Sequence, residues 1–352
     1  MYKKLLGLIF LFFATYVVGQ VGGTHSFQFL TITNNAKVNA MGGNNLTASD
    51  NELGMIYQNP SLLNDSMNNS LVMNYVNYVA DINFGYVSYA YHLKKYGNVG
   101  IGLHYLNYGK FIEADETGII TGSFSASDYN LNFYWAKPLD TLWTIGATLK
   151  LLYSNYYFYY SSAVAFDIAA TYYNPKRQLI FAAVIKNVGI QIKRYNSEYR
   201  EPLPFDIQVG VSKKVKHAPF RISFTLDNLT KYDLTYDSPI SDENNQTILD
   251  DSTNVVSENK FLSISDKILR HIIIGAEFIP IKNFYVALGY NYRRRQELKI
   301  VSRPALVGFS FGAGIKISDF YFAYSRSLYN LAGASNVFSI RTNLGKLGFI
   351  HN

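Results

Sequence analysis

Six histidines are dispersed along a chain of 352 residues, and none falls in the H-E-x-x-H spacing that sets two imidazoles and a general base around zinc on one helix face. Ser257 and Lys260 form an S-x-x-K string, the spacing in which a lysine assists a serine nucleophile. The S-D-N and K-T-G elements that accompany it in acyl enzymes are missing, so chance explains it. Asp233, Asp237, Asp242, Glu243, Asp250, Asp251 and Glu258 gather between Thr230 and Lys267. Clustered carboxylates are oxygen ligands for calcium, but no EF-hand spacing is present and a solvated surface loop is the plainer reading. No cysteine is available for a disulfide, a thiolate metal site or a thiol nucleophile. The sequence therefore predicts no catalytic residue, no metal site and no cofactor.

Two basic groups stand out, Lys193 with Arg194, and Arg293, Arg294 and Arg295 with Arg303. Arginine forks hold phosphate bidentately, so lipopolysaccharide phosphates or an acidic protein are the ligands such groups fit. The plainer reading is a solvated rim. The aromatic string Tyr156–Tyr160 is either an interfacial girdle or a protein contact, with the girdle favoured.

The elements that must carry these residues are strands. Fourteen stretches near 71–80, 83–93, 97–108, 124–137, 141–155, 160–173, 178–187, 203–215, 219–229, 268–279, 283–293, 304–317, 319–329 and 335–345 alternate apolar with small or polar side chains. Val307, Phe309, Phe311, Ala313, Ile315 and Ile317 share one face and Gly308, Ser310, Gly312, Gly314 and Lys316 the other. Trp143 to Tyr153 and Val99 to Tyr105 alternate in the same way. A strand crosses a bilayer in about 9 to 11 residues, and only helices and closed barrels satisfy every backbone amide there. Charges on the second face, Lys150, Lys316 and Arg341, belong in the lumen, because a charge facing lipid at the midplane costs about 2 to 4 kcal/mol. His104 falls on the same lumenal face. Aromatic residues make up 16% of the chain, with 30 Tyr against 2 Trp, as interfacial girdles require. The prediction is an all-β, transmembrane antiparallel barrel of fourteen strands; a soluble sandwich or lipocalin-like barrel is the alternative.

Connections alternate in length. Those near Tyr96, Pro138, Asn174, Lys216, Pro280 and Ser318 are tight and rich in turn residues, whereas Gly109–Ser123, Val188–Pro202, Thr230–Lys267 and Arg294–Arg303 are long. Outer-membrane barrels keep short turns in the periplasm, so both termini are expected there and the long loops outside. The first hairpin, turning near Ala80-Asp81-Ile82, is an exception with a very short outer loop. Residues 1–19 read as a secretory signal peptide cut near Gly19/Gln20, with Lys3 and Lys4 ahead of an apolar core from Leu5 to Phe13. Its removal takes the formal charge from +7 to +5, too mild and scattered for nucleic acid. Residues 20–70, rich in Asn, Ser and Gly, are too polar to span and are expected to fold into the lumen as a plug, a disordered periplasmic arm being the alternative. Within them Ala36–Met41 predicts a short helix stopped by Gly42-Gly43. The barrel follows over 71–352.

Ala40–Asn44 (AMGGN), Tyr57–Leu63 (YQNPSLL), Asn74–Gly85 (NYVNYVADINFG), His104–Lys110 (HYLNYGK), Phe124–Tyr129 (FSASDY) and Arg200–Asp206 (REPLPFD) carry a resemblance. With them the chain resembles the PorQ family, outer-membrane barrels of the type IX secretion system of Bacteroidetes. These sit within the broader family of fourteen-stranded fatty-acid-transporter-like barrels that includes PorV. The resemblance covers essentially the mature chain; the AMGG and NP elements are shared by the broader family. It implies a non-catalytic anchor in a cell-surface attachment complex with PorV, the PorU sortase and PorZ. The barrel would hold a PorZ-like protein at the surface, and Met41, Gly42, Gly43, Asn59 and Pro60 would sit in the plug. The chemistry belongs to PorU, so no catalytic residue carries over. The C-terminus departs from many outer-membrane barrels by ending on Asn352 instead of an aromatic residue. The alternative function is transport of hydrophobic small molecules, which the broader family and the apolar, lumen-side Leu152 favour. An enzyme such as a lipid A hydrolase would need a Ser/His/Asp cluster on neighbouring strands, and the alternation supplies none.

Overall fold

A computed structural model describes residues 25–48, 50–78, 82–195, 200–235, 260–298, 306–329 and 333–348. The signal peptide, Ser257, Arg303 and all the loop carboxylates except Asp233 lie outside the described residues. Fourteen antiparallel strands close into a barrel in which every strand pairs with its sequence neighbours and β1 with β14. They are β1 Ser70–Asn77, β2 Asn83–Leu93, β3 Gly97–Ala114, β4 Ile120–Pro138, β5 Trp143–Tyr156, β6 Tyr159–Asn174, β7 Leu179–Lys193, β8 Asp206–Lys214, β9 Phe220–Leu226, β10 Ile272–Ile281, β11 Phe284–Asn291, β12 Phe309–Ile317, β13 Phe320–Leu328 and β14 Ala334–Asn343. Each strand shows the expected period of two. Phe311 and Ile315 face outward and Ser310 inward; Ile101 and Leu103 face outward and His104 is fully buried. Val307 was expected on the lipid face but lies buried ahead of β12. Lys150 is buried and Arg341 points inward at the rim, where its guanidinium lies 4.0 Å from Glu52. Lys316 is exposed at the end of β12.

The tight connections fall at 94–96, 139–142, 175–178, 215–219, 282–283 and 318–319, all on one rim, the turn rim. On the opposite, loop rim the structure departs from expectation. Two segments read as loops are strand. β3 continues to Ala114 and β4 starts at Ile120, with a register shift after Asn107 that absorbs Gly109 in the left-handed region (φ 87°). β7 continues to Lys193. The wall is thus tall over β3 to β7 and low over β8 to β14. The long loops also carry helices, α2 at Lys260–Leu269 and α3 at Tyr292–Leu298.

Residues 26–48 and 53–63 fill the lumen. The short helix α1, Ala36–Ala40, begins where Asn35 accepts from the backbone N–H of Lys37 (2.9 Å) and Val38 (3.2 Å), an N-cap that satisfies two orphan donors. It ends at Gly42 (φ 95°), a conformation a side chain resists. Apolar plug residues, among them Phe29, Val38, Met41, Leu53 and Ile56, are buried against inward-facing wall residues such as Phe84, Leu152 and Tyr285.

Candidate functional site

The plug meets the wall through a dense set of polar contacts. Lumen-facing wall positions are serine, threonine, asparagine or glutamine where the plug backbone and amides arrive. Ala36 N donates to Ser339 of β14 (3.0 Å), Asn39 Nδ2 to Ser325 of β13 (3.0 Å) and Gly42 N to Ser310 of β12 (2.9 Å). Asn45 Nδ2 donates to Ser223 of β9 (2.8 Å), and Asn44 Nδ2 to Gln208 of β8 (3.0 Å). On the far side Asn59 Nδ2 reaches Thr171 of β6 (3.0 Å) and Lys186 of β7 donates to Gln58 (2.5 Å). The plug is tied to most of the wall's circumference, and a buried polar group left without such a partner costs about 1 to 3 kcal/mol.

Charge closes one side. Lys37 of the plug lies 3.1 Å from Glu277 of β10, and Arg221 of β9 donates to Asp50 of the plug from Nη1 (2.9 Å) and to Glu277 from Nε (2.5 Å). Lys37 also donates to Asp50. The pairs are crossed: a plug cation meets a wall anion, and a wall cation meets a plug anion. Burial alone would raise the Asp50 carboxyl, but the charges of Lys37 and Arg221 outweigh it and hold it well below the usual carboxylate range. Lys150 and Asp167 form a second buried pair within the wall at 2.7 Å, with Asn187 accepting from Lys150 at 2.7 Å.

The residues singled out in the sequence separate into two fates. Met41, Gly42, Gly43, Asn59 and Pro60 all lie in the plug, and Met41, Gly42 and Pro60 come up against wall glycines. A Cβ at Gly289 of β11 would sit 2.7 Å from Ala40 O and closer still to Gly42 N; one at Gly146 of β5 would sit 2.6 Å from the Pro60 carbonyl carbon. The residues of the two expected basic groups at the rim do not act together. Lys193 lies 3.2 Å over the Tyr160 ring at the end of β7, and Arg194 follows it. Arg293 pairs with Glu297 of its own helix at 3.8 Å, Arg295 reaches Val307 O at 3.4 Å, and Arg294 turns inward, its guanidinium 4.4 Å over Tyr329 and against Gly43. Of the loop carboxylates, Asp233 pairs with Lys267 at 2.6 Å. Tyr159 and Tyr160 belong to β6, and Phe158 stands exposed at the turn before it.

Arg294 helps line a cavity of about 380 Å³ between plug and wall at the loop rim, together with His25, Asn44, Lys186, Asp206 and Asp227. Burial, with the Lys231 charge, lowers the His25 pKa. An apolar groove of about 470 Å³ lies among Trp143, Phe181, Val211 and Phe224, whose aromatic rings are exposed on the outer face of the wall. Arg221, Glu277, Asp50 and the wall serines were not singled out from sequence. Arg221 and Glu277 carried a usable signal, a charge on the lumenal parity of an otherwise apolar strand, which demands an opposite charge inside the barrel.

A closed fourteen-stranded antiparallel barrel with a lumen-filling plug is an outer-membrane β-barrel fold. No family model and no curated protein matches the chain. Among solved structures it is similar to the toluene transporter TbuX of Ralstonia pickettii, over 90% of this chain and 99% of that one, at a TM-score of 0.53 and 13% identity. It is also similar to the toluene transporter TodX of Pseudomonas putida, over 88% and 96% of the two chains, at 0.51 and 13% identity. At that identity the likeness is one of fold, an outer-membrane β-barrel.

Proposed function

We propose that this chain is a non-catalytic outer-membrane anchor of a type IX secretion attachment complex, holding a PorZ-like surface protein at its loop rim alongside PorU and PorV. The observation that carries this reading is the plug. It is bonded to wall strands around most of the barrel and locked by crossed ion pairs, so the lumen is built as a rigid body and not as a passage. The tall wall over β3 to β7 lifts exposed Phe111, Ile112, Phe158 and Ile192 toward the loop rim, a surface suited to protein contact. With the long connections outward, the end of β14 faces the periplasm, whereas His25, the first described residue, lies at the loop rim, against the expectation that both ends are periplasmic. Lipopolysaccharide phosphates are a second set of ligands for Lys193 and Arg293. Deleting the gene should release the PorZ-like protein from the cell and leave cargo unattached; normal anchoring in the deletion strain would sink the reading.

The fold comparisons favour a second reading, passage of hydrophobic small molecules, since TbuX and TodX are described as toluene transporters and nothing among the comparisons points to type IX secretion. This reading needs an apolar route. The cavity at the loop rim is instead lined by Lys186, Asp206, Asp227 and Arg294, and the apolar groove lies on the outer face of the wall. Uptake of labelled toluene or fatty acid by cells expressing the chain separates the two, because a locked plug predicts none.

A further inference from the structure

We propose that the outer half of β7, Val188–Lys193, is the element that takes the partner, by pairing with an extended strand of the partner that adds to the barrel wall. The inference rests on the anchor reading and names its docking element.

β7 pairs with β6 as far as Lys193, but with β8 only from Leu179 to Lys186. The ladder parts at a bulge. Asn187 takes a left-handed conformation (φ 57°) and its N–H turns to Asp167 of β6 (2.8 Å). The reason β8 does not continue is written in Arg200–Asp206. Pro202 and Pro204 have no N–H to give to a ladder. Their carbonyls are used elsewhere, Pro202 O accepting from Ser26 N (3.1 Å) and Pro204 O from Asn187 Nδ2 (2.8 Å). Leu203 between them is buried in the lumen with Phe27, Phe29 and Leu152. The stretch that would have paired with β7 caps the plug instead.

What remains is a strand end bonded on one side only, among the described residues. Its inner face is occupied, since Gln191 donates to Ser161 (2.8 Å) and accepts from Glu201 N (3.3 Å). Its outer face is open, with Ile190 and Ile192 60% and 62% exposed. Proteins ordinarily blunt such an edge with charge, and here the exposed positions are isoleucine up to Lys193. Among the described residues no backbone pairs with this edge, and backbone donors and acceptors along a strand edge are satisfied in register only by another backbone. The occupant is therefore an extended segment of a surface protein, with apolar side chains at alternate positions against Val188, Ile190 and Ile192. A small apolar molecule does not fit the same opening, because Leu203, Phe27, Ala163 and Ala165 pack buried behind it.

Hydrogen–deuterium exchange tests this on the full-length protein in three preparations: alone in detergent, in lipid nanodiscs, and purified from the outer membrane with its surface partner. Amides of 188–193 should exchange about tenfold more slowly in the complex only, the scale of one added interstrand hydrogen bond, with 162–166 of β6 unchanged throughout. A bound partner without that slowing overturns the strand-addition inference and leaves the anchor reading standing. Slowing in nanodiscs without partner also overturns it, the edge then being covered by lipid. If no surface protein co-purifies, the anchor reading falls and the inference with it.

Discussion

On the β9–β10 side of the lumen the plug meets the wall through charges, Lys37 on Glu277 and Arg221 on Asp50; on the β2–β5 side it meets it through rings. There Tyr57 packs edge-on to Tyr86 and His104, both at 5.5 Å, and Phe29 lies 5.7 Å from His104. Charged pairs with bidentate geometry fix one register, because a displaced guanidinium leaves a buried carboxylate alone. Ring contacts tolerate small slips and set area more than position. The charged side therefore specifies where the plug sits, and the aromatic side fills the space that remains.

The largest effect should come from breaking the charged side. Arg221→Met leaves Glu277, 1% exposed, with Lys37 alone, and removing one member of a buried pair costs about 3 to 5 kcal/mol. The loss is read as a lowered urea midpoint in micelles, together with pore conductance in planar bilayers as the plug loosens. The double variant R221M/E277Q, which leaves Lys37 with Asp50, should recover most of it; no recovery would mean that Arg221 acts by bulk and not by charge. Asp50 itself is 42% exposed, so Asp50→Asn should cost less than either wall substitution.

A smaller loss is expected where wall and plug backbones touch. Gly289→Ala places a methyl against Gly42, and Gly146→Ala one against Pro60 and Ser61. Overpacking of this kind costs about 1 to 3 kcal/mol. Because the charged side fixes register, G289A, beside it, should lower the unfolding midpoint more than G146A. The reverse order would show that the aromatic side sets the plug's position.

On the aromatic side, His104→Phe should be neutral or stabilising by up to about 1 kcal/mol. Neither ring nitrogen of His104 has a protein partner among the described residues, and Phe29, Phe84 and Tyr86 already surround it. A loss above that size would reveal a polar role that the packing does not display.

The strands were legible because the period of two is enforced by lipid on one side and plug on the other, and the tight turns because Pro, Gly, Asn and Asp mark them. The helix at Ala36–Ala40 and its Gly42 stop were equally local. The crossed pairs were not, since Lys37 and Glu277 meet only when fourteen strands have closed, and no local pattern says which wall strand faces which plug residue. The loop rim misled in a different way. Gly109–Ser123 and Val188–Pro202 carry enough polar and small residues to read as loops, but pairing with a neighbour overrides that composition: β3 with β4, and β7 with β6.

The basic run Arg293–Arg295 gives the smallest expected effect and the finest division. As a sequence it is one patch; as part of α3 it is three separate situations. Arg294 turns inward over Tyr329, and Arg294→Ala should cost about 1 kcal/mol, the worth of a half-buried cation–π contact. Among the described residues Arg293 pairs with Glu297 one helical turn away, and Arg293→Ala should leave the unfolding midpoint within about 0.5 kcal/mol of the parent. Binding to vesicles doped with anionic lipopolysaccharide should show the opposite order, weakened by R293A and unchanged by R294A. The Arg294 guanidinium is already committed over Tyr329, and Arg293, among the described residues, is held by one weak ion pair on its own helix. Equal weakening by both would mean that the helix turns its arginines outward together at the membrane surface.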